Sequence, residues 1–324
     1  MKYILLLSHS QDFFTIDRVQ AALEKYKQTP LRINTDLFPT EIQISQSIDQ
    51  EACHINFVNE ACSFTAKEVA AVWNRKIWSP KLPNDLDPQF YNGCLHESRK
   101  TLEIFLQNLS HVSWMDGIPI ARKAENKFYQ LQLAQEVGLN IPPTLITNNP
   151  TDFKVFYKAH QGEVVAKMNT VLSYGMNSDE LFVYTSKVEK EHLEDADMLK
   201  YSPMIFQRRI PKAYELRIIY VNGDCFVGKI DASQSENGQT DWRQSGVNEV
   251  IWQPYVIPNG LKNLLRLFMQ KIGLLYGAID VICQPNGEYV FLEVNPGGEW
   301  GMIEKELDEP ISEAIAKTLV GFCS

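Results

Sequence analysis

Residues Tyr276 to Gly301, YGAIDVICQPNGEYVFLEVNPGGEWG, constrain this chain more than any other stretch. Two apolar runs, Ala278 to Cys283 and Tyr289 to Val294, flank Pro285-Asn286-Gly287, whose turn chemistry predicts a β-hairpin. Glu293 and Asn295 stand two apart on the second strand and therefore project from one face, and Asp280 on the first strand can lie opposite them. Hard oxygen donors too few to close a cage suit Mg²⁺, which completes its octahedron with water and nucleotide phosphates. The plain alternative is an antiparallel hairpin with polar residues in solvent. An acid inside an apolar strand, a PNG turn and ExNPGG in succession favour the metal site.

Length and charge set the limits on what surrounds that hairpin. At 324 residues the chain exceeds one hydrophobic core, and roughly two or three subdomains are expected. Hydrophobic residues at 44% and charged residues at 22% are ordinary globular values. With 31 basic and 40 acidic residues the formal charge is −9, which argues against a nucleic-acid groove and for a basic partner. The six cysteines have neither CxxC nor zinc spacing and suggest no disulfide framework, as expected for a reducing cytoplasm. The apolar run Tyr3 to Leu7 is too short for a signal peptide, and no stretch approaches the ~18–20 apolar residues of a membrane span. A soluble protein is expected.

In chain order, Tyr3 to Leu7 reads as a buried strand and Ser8-His9-Ser10 as a polar turn. Ile16, Val19, Ala22, Leu23 and Tyr26 form a helical stripe, and Pro30 to Asn34 begins another strand. This β-α-β opening predicts a parallel sheet covered by helices. The absence of GxGxxG removes a dinucleotide reading. His9 and Asp12 either cap the helix or border a cleft. A strand over Val69 to Trp78 presents Arg75 and Lys76, to phosphate or a peptide carboxylate or as solvated edge charges. Residues 88 to 108 read as a helix with Leu95, Leu102, Ile104 and Phe105 inward, and the first unit is expected to span residues 1–115.

The next helix carries Ala124, Phe128, Leu131, Leu133 and Val137, ends at Gly138, and bears Lys127. A strand starts at Pro142-Pro143-Thr144-Leu145, a short helix follows Asn148-Asn149-Pro150, and Glu163 to Met168 is a strand with Lys167 at its end. That ammonium either snorkels to solvent or meets nucleotide phosphates as a point charge. Met204 to Gln207 is an apolar strand running into Arg208-Arg209-Ile210, where backbone groups can hydrogen-bond adenine. Glu215-Leu216-Arg217 opens a second hairpin that turns at Asn222-Gly223-Asp224. Arg217 is the leading catalytic cation, because its fork can pair with a transferring phosphoryl group or acyl phosphate. Arg243 in Asp241-Trp242-Arg243 is the second candidate. A structural ion pair is the alternative for both.

This order of a lysine on a helix, a lysine on a strand, MIFQRRI, ELRIIYVNG and then the metal hairpin resembles the ATP-grasp superfamily over about residues 116 to 320. The resemblance implies an α/β fold with a central unit over 116–186 and a C-terminal unit over 187–324. It makes Lys127 and Lys167 contacts of ATP, Gln207, Arg208, Arg209 and Ile210 the adenine hinge, and Asp280, Glu293 and Asn295 the Mg²⁺ ligands. Two features depart from it: the segment after Lys167 has one glycine, so no glycine-rich phosphate cradle is evident, and Arg208 stands where many relatives carry an acid.

The passages NTDLFPTE, AVWNRKIW, FQRRIPKAYELRI, DWR, YGAID and FLEVNPGGEW resemble the ligases that crosslink microviridin-type precursor peptides, the graspetide enzymes. That resemblance implies a homodimer that activates Asp or Glu side chains of a ribosomal peptide as acyl phosphates. NPGGEWG looks more like the amide-forming kind, which joins them to lysine, than the ester-forming kind. A ligase of free amino acids and a non-catalytic ATP-binding regulator are the rival readings, and the intact metal ligands argue against the second. In Lys187 to Lys200, a helical stripe at Val188, Leu193 and Leu199 leaves acids on the other faces. Glu191, Glu194 and Asp195 are the expected docking site for an arginine-bearing helical leader, a solvated acidic face being the alternative.

Overall fold

The structure, a computed structural model, describes residues 2–50, 53–58, 63–169, 185–230 and 251–323. The opening is the expected β-α-β unit: β1 (Tyr3–Ser8), α1 (Thr15–Lys25) and β2 (Thr29–Asn34), with β2 parallel to β1. A small antiparallel sheet of β3 (Gln43–Ile48), β4 (Cys53–Val58) and β5 (Ser63–Thr65) intervenes. Then β6 (Val69–Asn74) returns to the other side of β1, and α2 (Tyr91–Gln107) leads to β7 (Ser113–Met115). The result is a parallel sheet of order β2-β1-β6-β7, whose strands all end on the same edge.

Two local expectations fail here. The N-cap of α1 is Phe14, and no side chain caps it; Asp12 instead accepts the hydroxyls of Ser8 and Thr15. In α2 the buried residues are Leu102, Phe105 and Leu106, while Ile104 is exposed. Leu102 and Phe105 face inward as expected, and Leu106 takes the buried place expected of Ile104.

The helix expected around Lys127 is two, α3 (Ile118–Ala124) and α4 (Lys127–Glu136), broken where Asn126 accepts the N–H of Tyr129 and caps α4. Gly138 follows with φ +90°, the left-handed position that ends a helix. Next come β8 (Thr144–Thr147), α5 (Pro150–Ala159), β9 (Val164–Lys167), β10 (Ser186–Lys187) and β11 (Met204–Arg208). These strands make an antiparallel sheet of order β10-β9-β11-β8, which continues on both sides of residue 186. Residues 187–200 are not one helix but two short 3₁₀ turns, Lys190–Leu193 and Ala196–Lys200. Acids four apart, Glu191 and Asp195, disfavour an α-helix there. Packing pins the segment at Val188, Ala196 and Leu199, with Leu193 partly buried beside them, against Phe153, Val164 and Phe206.

The last unit is a five-stranded antiparallel sheet of order β14-β13-β12-β15-β16. Its strands are β12 (Tyr214–Val221), β13 (Asp224–Ile230), β14 (Trp252–Pro254), β15 (Tyr276–Cys283) and β16 (Tyr289–Asn295). The helices are α6 (Asn259–Ile272), α7 (Gly301–Leu307) and α8 (Ile311–Gly321). Asn222 and Gly223, at φ 45° and 106°, make the two-residue turn that matches strand twist. Along β12, Leu216, Ile218 and Tyr220 pack with Leu131 of α4 and Leu265 and Phe268 of α6. The alternate residues Ile219 and Val221 share a core with Ile4, Leu6 and Trp73 of the parallel sheet and with Ile311 and Ile315 of α8. This shared core holds the carboxyl end of β6 against the β15–β16 hairpin. Among the described residues no helix is long and apolar enough to cross a membrane.

Candidate active site

The predicted hairpin pairs Asp280 directly with Glu293, and Ala278 with Asn295. Strict alternation would put Phe291 on the same face as Glu293. The register shifts beyond Asp280, so that Val281 faces Phe291 and Leu292 is an extra residue on β16. One inserted residue reverses the facing of everything before it. Phe291 therefore joins the core against Phe268, ring centroids 4.8 Å apart, while Glu293 and Asn295 turn toward Asp280.

On the neighbouring strand Arg217 is in register with Asp280. One of its terminal nitrogens donates to both Asp280 oxygens at 2.9 Å each, and the other donates to the carbonyl of Glu299 at 3.1 Å. Arg217 is buried, and its Nε has no hydrogen-bond partner among the described residues. Burial alone would lower its pKa, but Asp280 more than compensates and the guanidinium stays charged. The Asn295 amide donates to Glu293 at 3.2 Å, and Lys127, the first residue of α4, donates to the other Glu293 oxygen at 2.8 Å. Burial by itself raises the Glu293 pKa. Lys127 first, then Lys167, and hydrogen bonds from Lys127 and Asn295 reverse this and hold the carboxyl well below the usual range.

Two carboxylates and one amide on paired strands, flanked by two cations, suit a hard cation that keeps open positions, since each carboxylate retains lone pairs beyond those its cation uses. Beside them opens a small cleft between α4, the β8–β11 sheet and β16. Its apolar walls include Phe128, Ile146 and Leu292, and its polar groups include Lys127, Thr144, Lys167, Gln207 and Glu293. Apolar walls beside two ammonium groups suit a base and its phosphates.

Several expected site residues have partners within the protein. The N–H groups of Arg208 and Arg209 donate to the carbonyls of Pro143 and Glu163, which leaves their own carbonyls as the hinge groups these two residues could offer adenine. The Gln207 amide is buried and donates to Thr144, and Arg209 pairs with Glu163 at 3.3 Å. Ile210 is half-buried beyond the strand. Arg75 is neither a phosphate ligand nor a solvated charge: its side chain is fully buried and holds the 297–299 turn. Lys76 pairs with Glu299 at 2.7 Å. Glu191, in the first 3₁₀ turn, and Glu194 and Asp195, between the two turns, are exposed. Arg243 and the segment following Lys167 lie outside the described residues.

Sequence reasoning missed Glu299, the common partner of Arg75 and Lys76, and Gln130. The buried Gln130 amide donates to the Val294 carbonyl at 2.9 Å and accepts the Val294 N–H at 2.8 Å, fixing β16 to α4. Its only sequence signal was a glutamine one turn after Lys127. Trp300 and Gly298, in the motif suggesting an amide-forming enzyme, are buried inside the protein.

The MvdD pre-ATP grasp domain family matches residues 3–122. No curated protein matches the chain significantly. Three solved structures resemble it over nearly their whole length. Macrocyclase MdnB of Microcystis aeruginosa MRC is 47% identical, covering 99% of both chains with a TM-score of 0.85. MdnC of the same source, bound with precursor peptide MdnA, is 36% identical, covering 98% of this chain and 99% of its own, with a TM-score of 0.88. A RiPP-associated ATP-grasp ligase of Chryseobacterium gregarium, in complex with ADP and a leader and core peptide, is 33% identical, covering 99% and 97%, with a TM-score of 0.92. Likeness at this identity and coverage is kinship, and the chain belongs to the family of ATP-grasp ligases that includes the macrocyclases MdnB and MdnC.

Proposed function

We propose that this chain is an ATP- and Mg²⁺-dependent ligase that closes side-chain-to-side-chain crosslinks within a ribosomal precursor peptide. The observation that carries this reading is the set Asp280, Glu293 and Asn295 on paired strands, with Arg217 and Lys127 on its two carboxylates, beside a cleft lined by Lys127, Lys167 and Glu293. Bound together, ATP supplies the phosphoryl group and Mg²⁺ neutralises the charge that its transfer concentrates. Asp280, Glu293 and Asn295 would hold the metal, and Lys127 and Lys167 the phosphates. Arg217 places a fixed positive charge where the peptide carboxylate becomes an acyl phosphate. A second side chain of the peptide then attacks the acyl carbon and phosphate leaves, so each ring costs the peptide one water. No nucleophile on the enzyme is needed.

An amine at that step gives an amide, as NPGGEWG suggested, and a hydroxyl gives an ester. The two outcomes share every residue named above. Glu191, Glu194 and Asp195 form an exposed acidic surface suited to an arginine-bearing leader, apart from the reacting centre. The test is incubation with ATP, Mg²⁺ and a precursor peptide, followed by mass spectrometry. Loss of one water per ring supports the reading, and survival of the ring in mild base separates amide from ester. An unmodified peptide under conditions where ATP is bound removes the reading.

A further inference from the structure

The end of β6 sends one fully buried guanidinium across to the metal hairpin. Arg75 donates through one nitrogen to the carbonyls of Gly297 and Gly298, at 2.8 and 3.3 Å, and through another to the Glu299 carboxylate at 2.7 Å. Its Nε lies 3.6 Å from Asp12, in the loop after β1. Its own N–H and that of Lys76 both donate to the Leu7 carbonyl, so the residue is anchored at the carboxyl edge of the parallel sheet. Lys76 holds the second Glu299 oxygen, and the Tyr276 hydroxyl donates to the Gly298 carbonyl at 2.6 Å. The turn from Gly297 to Glu299 is therefore held by the first sheet from one side and by β15 from the other.

That turn has one further bond: the Glu299 carbonyl accepts from Arg217 at 3.1 Å. Arg217 has two fixed points, Asp280 and this carbonyl, and the second exists where it does because Arg75 holds the turn. We infer that Arg75 is a positioning residue for Arg217, through which the first sheet sets the orientation of the charge-stabilising cation at the reacting centre. The inference rests on the proposed role of Arg217. An arginine is required because one side chain must reach two carbonyls and a carboxylate at once, which a single ammonium cannot do. Without it, the Gly297 carbonyl loses its donor, the Gly298 carbonyl keeps only Tyr276 and Glu299 keeps only Lys76, and Arg217 is left to pivot about Asp280. A misplacement of about 1 Å at a reacting group costs on the order of 10²-fold in rate.

The experiment compares the parent with Arg75→Gln, Arg217→Lys and the double variant in steady-state crosslinking. Alongside, ¹⁵N-arginine NMR follows the Arg217 guanidinium, identified by its loss in Arg217→Lys. The expected result is a roughly 10²-fold fall in kcat for Arg75→Gln with KM for ATP and peptide within about twofold. The double variant should be no slower than Arg217→Lys by more than about threefold, because both substitutions remove the same function. The Arg217 signals should be resolved in the parent and averaged by rotation in Arg75→Gln. Losses that multiply, a change confined to KM, or unaltered Arg217 signals overturn the inference. If Arg75→Gln does not fold, Glu299→Gln takes its place, since that side chain is about half exposed (47%) and the substitution removes the charged partner of Arg75 and Lys76 on the same turn. A parent that crosslinks nothing overturns the proposed function instead, and the Arg217 signals alone then decide the positioning.

Discussion

Lys127 Nζ sits 2.8 Å from Glu293 Oε2, an ion pair closed across 166 residues of sequence. It is the counterpart of Arg217 on Asp280, and the two pairs differ in how much each carboxylate can lose. Lys127 is 29% exposed, so Glu293→Ala leaves an ammonium that solvent can reach. Arg217 is 9% exposed, so Asp280→Ala strands a buried charge. Both substitutions are expected to lower crosslinking by at least ~10²-fold. Only Asp280→Ala should also unfold the protein more easily, by ~3–5 kcal/mol, against ~1 kcal/mol for Glu293→Ala. Urea midpoints measured beside turnover check this, and near-normal turnover in both variants with unchanged Mg²⁺ dependence would remove the metal site.

Arg217→Lys should retain the fold, because an ammonium can still neutralise Asp280. It cannot also bond the Glu299 carbonyl, and a point charge replaces an oriented plane. A fall in kcat of ~10²–10³-fold is expected. Retention of most of the rate in single-turnover crosslinking assigns Arg217 to structure alone.

Gly298→Ala should damage the site from outside the ligand set. A Cβ there would lie 2.3 Å from the Cβ of Ala278 and 2.9 Å from an Arg217 terminal nitrogen. The first contact is with a side chain that cannot move, so β15 must shift, at ~1–3 kcal/mol. Gly297→Ala meets the Arg75 carbonyl at 3.2 Å and Lys76 Cγ at 4.0 Å, both milder contacts, and serves as the control. Thermal midpoints and crosslinking rates of the two variants should diverge; equal behaviour contradicts the packing.

Asp116 gives the protein an inverted pH dependence. Burial pushes this carboxyl up to about 7, against the lowering effect of the N–H groups of Leu275 and Tyr276 that it accepts. Between its unfolded value of 3.8 and about 7 the folded protein is the better proton binder at this group. Its contribution is therefore full below about pH 4 and is lost as pH rises toward 7, on the order of 4 kcal/mol at most. Burial lowers the His9 pKa and acts oppositely as pH falls through 6.5, so the quantity to follow is the difference between parent and Asp116→Asn. Urea midpoints from pH 5 to 8 should show a shallower fall with rising pH in the variant, which also loses ~1–2 kcal/mol uniformly because an amide cannot accept at both ends. Parallel curves exclude Asp116 as the titrating group.

The exposed acids at and between the 3₁₀ turns set a modest expectation for leader binding. Pairs in solvent contribute ~0.2–1 kcal/mol each and are screened by salt. The triple variant Glu191→Ala, Glu194→Ala, Asp195→Ala should bind a leader peptide roughly tenfold more weakly at low salt, the gap narrowing as salt rises. Titration by calorimetry measures it, and an affinity equal to the parent's at both salt levels returns these residues to a solvated face.

What the sequence determined by itself is local. Strand alternation placed Glu293 and Asn295 on one face, PNG and Asn-Gly located the two hairpin turns, and the β-α-β opening followed from apolar periodicity; each depends on neighbours within a few residues. The family resemblance was carried by motifs of the same short range. What the tertiary structure alone decided is who stands opposite whom. The extra residue Leu292 in β16, which turns Phe291 to the core and Glu293 to the site, is invisible until the partner strand is laid beside it. Arg75 looked like a phosphate ligand or a surface charge and is buried, because the core shared by the two sheets brings the Gly297 and Gly298 carbonyls to the end of β6. A side chain's periodicity states which way it points, whereas its partner is chosen by packing between segments that the chain itself keeps far apart.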